Sequence, residues 1–209
     1  KKSGRGHYPL FSKLIDIDHI YECNLAANNA NQSYYQQNFL FSPDNANKVY
    51  HSVKVNNETE FPWTTGSAMV VKGLKDQKPI SQDQLNYTPI KGHSFVKLTE
   101  APDVKIKHAE KEIERTDKAI KNPQNKKYYL DLVTVEGQLK IKNYKVKDID
   151  LNIRRTITGK LESSSVKWLK AERVVRSGQN QITDVCWETN IKSGEELIIN
   201  YKYQVYVPD

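Results

Sequence analysis

Asp16-Ile17-Asp18-His19 is the most suggestive local group of chemistry-bearing residues in the chain. On a strand, Asp16 and Asp18 share one face and His19 takes the other. Two carboxylates on one face could hold a cation or act as an acid/base pair, although the wet face of a sheet carries such pairs without any chemistry. Ser42-Pro43-Asp44-Asn45-Ala46-Asn47 offers oxygen ligands at alternate positions. It lacks the further ligands and the distal Glu of a calcium loop, so turn chemistry accounts for it better. Trp63 is a stronger lead. It follows Pro62 and precedes two threonines in a turn, where a Trp is less obviously a core residue. With exposed tyrosines such as Tyr87 it would form a stacking platform for a sugar; otherwise it caps the end of the core. Trp63 and Tyr87 are therefore the candidate ligand-binding residues.

Other chemistry is missing from the sequence. The glycines are single and sit at turn signals, with no G-x-G-x-x-G or G-x-x-x-x-G-K phosphate loop. No G-x-S-x-G elbow, H-E-x-x-H or paired C-x-x-C occurs. The expectation is a non-enzyme with no catalytic residues, no metal ligands and no cofactor. Cys23 and Cys186 could pair in an oxidising compartment or stay as two buried thiols, the plainer reading. The sequons at Asn31, Asn57 and Asn86 are near chance in so Asn-rich a chain.

The elements that position these residues are strands. In Leu197 to Val207 every odd position is apolar or aromatic, while Asn200, Lys202 and Gln204 fall between. That is the period-two repeat of a strand with one wet face. The same alternation places Leu139 and Ile141 inward, then Ile149, Leu151 and Ile153, and also Val104 and Ile106, with Val53 and Val55 flanking Lys54. From Lys126 onward the pattern predicts strands over 128–135, 138–144, 149–159, 166–175, 181–190 and 196–207, the first two joined as a hairpin at Glu136-Gly137. Trp168 and Trp187 lie on strand patterns, and one of them is expected to pack between sheets. Upstream, Leu10 to Tyr21, Ser67 to Lys72, Leu85 to Pro89 and Ser94 to Leu98 read as strands, and Asn24 to Asn47 as a long excursion. Ala109 to Asn122 has helix-forming residues, but its apolar positions make no continuous face, so an exposed strand and loop is preferred. Asn122-Pro123-Gln124-Asn125 marks the division between a β-rich region, 1–125, and an immunoglobulin-like β-sandwich, 126–209.

Composition bounds the function classes. The chain has 209 residues, 32 Lys plus Arg against 25 Asp plus Glu, and a formal charge of +7. No run of about 18 apolar residues exists, so no membrane span is expected. Lys1 to Leu10 lacks the apolar core of a signal peptide. The lysines are scattered and alternate with apolar residues, as on a solvated sheet face. The competing reading is a polyanion surface, with affinity that falls steeply with salt; no specific nucleic-acid partner is expected.

One resemblance adds to this. Phe61-Pro62-Trp63-Thr64-Thr65-Gly66-Ser67-Ala68 resembles a segment of the C-terminal β-rich domain of unknown function of bacterial mucoidy-inhibitor-like proteins. Tyr87-Thr88-Pro89, Ala101-Pro102-Asp103-Val104, Lys142-Asn143-Tyr144-Lys145, Ile153 to Gly159, Val185-Cys186-Trp187, Ser193-Gly194-Glu195 and Tyr201-Lys202-Tyr203 follow in the family's order, from about residue 47 to the end. The resemblance implies an extracytoplasmic location (periplasmic, cell-surface or secreted) and a protein or glycan partner of the cell envelope. A coiled-coil module precedes the domain in that family, so it also implies a fragment or a shorter relative. The family supplies no catalytic residues to carry over. The leading expectation is a non-catalytic interaction or structural module. A carbohydrate-binding module using exposed aromatics is the alternative, and a hydrolase with paired carboxylates the second.

Overall fold

A computed structural model describes residues 11–28, 39–43, 46–73, 77–122, 124–126, 128–173 and 179–208. The fold is all-β, with no helix among the described residues. The strands are β1 (Ile17–Asn24), β2 (Val49–Asn56), β3 (Gly66–Lys72), β4 (Lys78–Leu85), β5 (His93–Glu100) and β6 (Val104–Lys121). They continue with β7 (Tyr129–Asn143), β8 (Ile149–Thr158), β9 (Lys160–Ser164), β10 (Trp168–Arg173), β11 (Ile182–Ile191) and β12 (Glu196–Pro208). One sheet has the order β10-β11-β8-β1-β2-β5, a second β6-β7-β12-β9, and a third pairs β3 with β4. Two compact units are formed: Lys1–His19 with Ser52–Leu98, and Ile20–His51 with Thr99–Asp209. Among the described residues no helix is long and apolar enough to cross a membrane.

In the second unit the alternation read from the sequence is the burial pattern. Leu139, Ile141, Ile149, Leu151, Ile153, Ile199, Tyr201, Tyr203, Val205 and Val207 are all buried, and so are Val104 and Ile106. Strands of both larger sheets contribute to one hydrophobic cluster. Trp187 is fully buried there, 5.2 Å from the Tyr201 ring, and its Nε1 donates to Ser164 Oγ at 2.9 Å; Trp168 is only partly buried. Ala109 to Lys121 is strand, as preferred, because β6 pairs along most of β7.

Three expectations are corrected. The hairpin at Glu136-Gly137 does not form: β7 runs unbroken through both residues, with Gly137 opposite Glu110 on one side and Tyr201 on the other. A Cβ on Gly137 would lie 2.1 Å from Tyr201 Cζ. The glycine is there to make room for a ring, not to turn the chain. Gly137→Ala is therefore expected to cost roughly 1–3 kcal/mol or more by overpacking, read as a drop in the urea midpoint. Gly66→Ala, whose Cβ would meet nothing nearer than 3.9 Å, is the near-neutral control.

The expected strand over 149–159 ends at Thr158, and β9, absent from the sequence reading, follows after a single residue. Gly159 has φ of 134°, and a Cβ there would sit 2.4 Å from the Gln204 carbonyl oxygen. It lets the chain leave the six-stranded sheet and join the four-stranded one at a sharp corner. In the first unit, the strand expected over Leu85 to Pro89 is instead β4, which ends at Leu85; its Pro79 and polar residues masked the pattern.

Candidate functional site

Asn57 organises the loop that carries Trp63. Its side chain is fully buried, with Nδ2 donating to the Phe61 carbonyl at 2.8 Å and the Thr88 carbonyl at 3.1 Å. Its Oδ1 accepts from the Thr59 backbone N–H at 3.0 Å and the Thr59 hydroxyl at 2.6 Å. Such an Asx turn fixes the backbone without a strand ladder. Trp63 and Thr88 then exchange two backbone hydrogen bonds of 2.9 Å. The Trp63 indole N–H donates to Thr59 Oγ1 at 3.1 Å, so its polar edge is tied to the loop and its ring is set in place.

The consequence is an apolar groove of about 690 Å³, lined by Phe11, Phe61, Pro62, Trp63, Thr64 and Leu85. Trp63 is half-buried, whereas Phe61 is 62% and Phe11 58% exposed. Tyr87 is 60% exposed, and its backbone N–H is held by Thr65 Oγ1 at 3.1 Å. Trp63 and Tyr87 thus share one loop pair, but Tyr87 does not line the groove. Phe61 and Phe11 are additions the sequence reading did not name. Asn57, a sequon residue, is fully buried and uses both amide donors in this fold, while Asn86 is exposed. The Asn31 sequon lies outside the described residues, as do Asp44 and Asn45.

Asp16 and Asp18 are exposed, Asp16 just ahead of β1 and Asp18 within it. Neither lines a described groove, and among the described residues no group of three or more His, Cys, Asp and Glu is placed to hold a metal. Cys23 lies opposite Ile153 and Cys186 opposite Arg154, on the two flanks of β8. Two strand spacings separate their backbones by about 10 Å, on opposite faces of the sheet, beyond disulfide reach. Both are free thiols; burial pushes Cys23 up to about 12, which leaves it inert.

The strongest electrostatics are elsewhere, in a buried cluster that the sequence reading missed. Arg155 on β8 binds both carboxylate oxygens of Glu110 on β6, Nη1 to Oε1 at 2.5 Å and Nη2 to Oε2 at 3.0 Å. Its Nε donates to the Ala26 carbonyl at 3.2 Å, and Nη1 also meets the Tyr201 hydroxyl and, at 3.1 Å, His108 Nε2. Tyr201 on β12 donates to Glu110 Oε1 at 3.0 Å. His108 Nε2 also lies 2.7 Å from the Tyr201 hydroxyl, so this nitrogen faces both the guanidinium and the phenol. The ring is held neutral: burial first, and the Arg155 charge second, lower it to about 4 against the weaker pull of Glu110. Burial alone would raise Glu110, but the charge and hydrogen bonds of Arg155 outweigh it and hold the carboxyl below its ordinary range. Tyr201 is pushed well up, chiefly by burial.

Perturbed groups of this kind mark active sites or structural ion pairs. Here the carboxylate is taken bidentately and, among the described residues, no buried side-chain N or O lacks a hydrogen-bond partner. The cluster joins β6 and β12 to β8 across the core. No family model matches the chain, no curated protein matches it in sequence, and no solved structure matches it.

Proposed function

We propose that the chain is a non-catalytic interaction module of a bacterial envelope or secreted protein, and that it takes its ligand in the groove of Phe61, Pro62 and Trp63. The observation that carries this is a solvent-facing aromatic groove on a loop already locked by Asn57. A prearranged loop loses little conformational freedom when it binds, and exposed aromatic surface on a soluble domain is a mark of interaction sites. Placement with the mucoidy-inhibitor-like β-rich domains rests on the order of motifs alone. The envelope location follows from that resemblance alone. A sandwich reading is supported by one buried cluster drawn from strands of two sheets, to which Tyr21, Cys23, Val49, Val104 and Ile106 also contribute from before residue 126.

A glycan ligand is the second reading, favoured by the exposed rings of Phe61 and Tyr87, on which the C–H face of a pyranose could stack. The test is a titration of the purified chain against a panel of envelope glycans and envelope polypeptides. Phe61→Ala removes an exposed ring and leaves the Asn57 network intact. It is expected to weaken binding by roughly 2 kcal/mol, about 30-fold, the scale of an interface anchor, with an unchanged thermal midpoint. Trp63→Ala is expected to do the same with some loss of stability. Full affinity in both variants sinks the groove; dependence on Tyr87 with glycans alone selects the sugar reading.

A further inference from the structure

The outer face of the four-stranded sheet, within the second unit, bears a lattice of lysines. Odd residues of β7 are buried, so Lys140 and Lys142 point outward. On β6, Lys105 and Lys107 alternate with the buried Val104 and Ile106. The register sets Lys105 directly opposite Lys142 and Lys107 directly opposite Lys140. On the far side of β7, Glu196 faces Lys142 and Ile198 faces Lys140. Two rows further on, Lys111 and Lys202 both bind Glu136, at 3.2 and 3.8 Å. The face thus carries lysines at 105, 107, 111, 140, 142 and 202, with Glu114, Glu136 and Glu196 as the acids of β6, β7 and β12 on the same side.

Folding does not ask for this arrangement. Like charges directly opposite in an antiparallel pair destabilise it, and a wet face is served as well by Thr or Glu. The Phe41 and Gly194 contacts of Lys140 and Lys142 orient them without cancelling their charge. Lys140 Nζ rests 4.2 Å from the Phe41 ring centroid, and Lys142 Nζ donates to the Gly194 carbonyl at 2.8 Å. Lys111 also sits 4.5 Å over Phe39, with Glu136 as its counter-charge. Their backbone positions stand about 5 Å apart across strands and about 7 Å along them, a two-dimensional spread of positive charge that suits a chain of anions better than one ion.

The kind of polymer follows from what else the face offers. Phe39 and Phe41 lie under ammonium groups, so they present no open stack for nucleobases. The cations are lysines, compact point charges, without the bidentate fork that arginine brings to phosphate. We propose that this face binds a linear anionic polysaccharide, a uronate- or sulfate-bearing chain laid along β6 and β7. The proposal uses a surface separate from the aromatic groove and stands or falls without it.

The test titrates the purified full chain with heparin and with polygalacturonate at 50 and 300 mM NaCl. The comparison is between Lys140→Gln/Lys142→Gln and Lys72→Gln/Lys78→Gln, a pair that faces across β3 and β4 and removes the same charge. Circular dichroism checks that both stay folded. The expected result is a loss of about tenfold or more for the first variant at 50 mM and a salt dependence shallower by about two counterions, with less than a threefold change for the second. Equal losses in the two variants would reduce the effect to net charge and overturn the site. So would unaltered binding by the first variant, no binding of either polymer by the wild type, or tighter binding to single-stranded DNA or to anionic vesicles than to both polysaccharides.

Discussion

Arg155→Ala is expected to be the most damaging single substitution in the core, at a cost of roughly 3–5 kcal/mol. The reason is the group left behind. The Glu110 carboxylate is 11% exposed and receives both guanidinium nitrogens, so without Arg155 it is a buried charge with no counter-charge. The Ala26 carbonyl and His108 Nε2 lose their donor as well. Typical domains are stable by only 5–15 kcal/mol, so the loss would be plain in a urea titration at pH 7. Replacing Arg155 and Glu110 together with methionine is expected to cost less than the sum of the single changes, because removing both charges spares the uncompensated one. A cost near that of an exposed ion pair, under about 1 kcal/mol, would show that the cluster does not hold β8 to β6 and β12.

Acid is expected to weaken the fold through His108. The unfolded chain takes a proton on this ring as pH falls through about 6.5; in the native state burial and Arg155 delay protonation to about 4. Between those values the unfolded state binds more protons, so stability falls as pH falls. The contribution is complete above pH 6.5 and loses about 3 kcal/mol by pH 4, at 1.36 kcal/mol for each unit. The groups facing the ring set the sign: Arg155 opposes a second cation, Tyr201 is a neutral hydroxyl 2.7 Å away, and Glu110 at 3.9 Å is already committed to Arg155. Glu110, itself held low, adds a further loss at pH values below the ordinary carboxylate range. His108→Gln keeps an acceptor for Arg155 but cannot titrate. Its stability profile is expected to be flatter than wild type between pH 6.5 and 4, and parallel profiles would assign the acid sensitivity to other groups.

The cluster shows where the alternation could have been read further. Arg155 continues the inward set of Ile149, Leu151 and Ile153, and His108 and Glu110 continue that of Val104 and Ile106. A polar residue in phase with a buried face is the signal of a buried pair. The partners are not legible from local pattern, because Arg155 meets Glu110 across 45 residues and His108 meets Tyr201 across 93.

By itself the sequence determined the strand class and the inward faces of β7, β8 and β12, since successive side chains of a strand take opposite sides whatever lies beyond; which of Trp168 and Trp187 is buried it left open. Tertiary structure decided what depends on a distant neighbour. Glu136-Gly137 reads as a turn until Tyr201 is laid across it. Gly159 reads as a strand end until Gln204 closes on it and the chain changes sheets. Lys140 and Lys142 read as scattered surface charge until the register sets Lys107 and Lys105 opposite them. Trp63 reads as a cap or as a contact until Thr59, in the loop that Asn57 holds, takes its indole N–H and ties the polar edge of the ring to that loop. Local sterics set the period of a strand; only the pairing of segments far apart in the chain sets what each face meets.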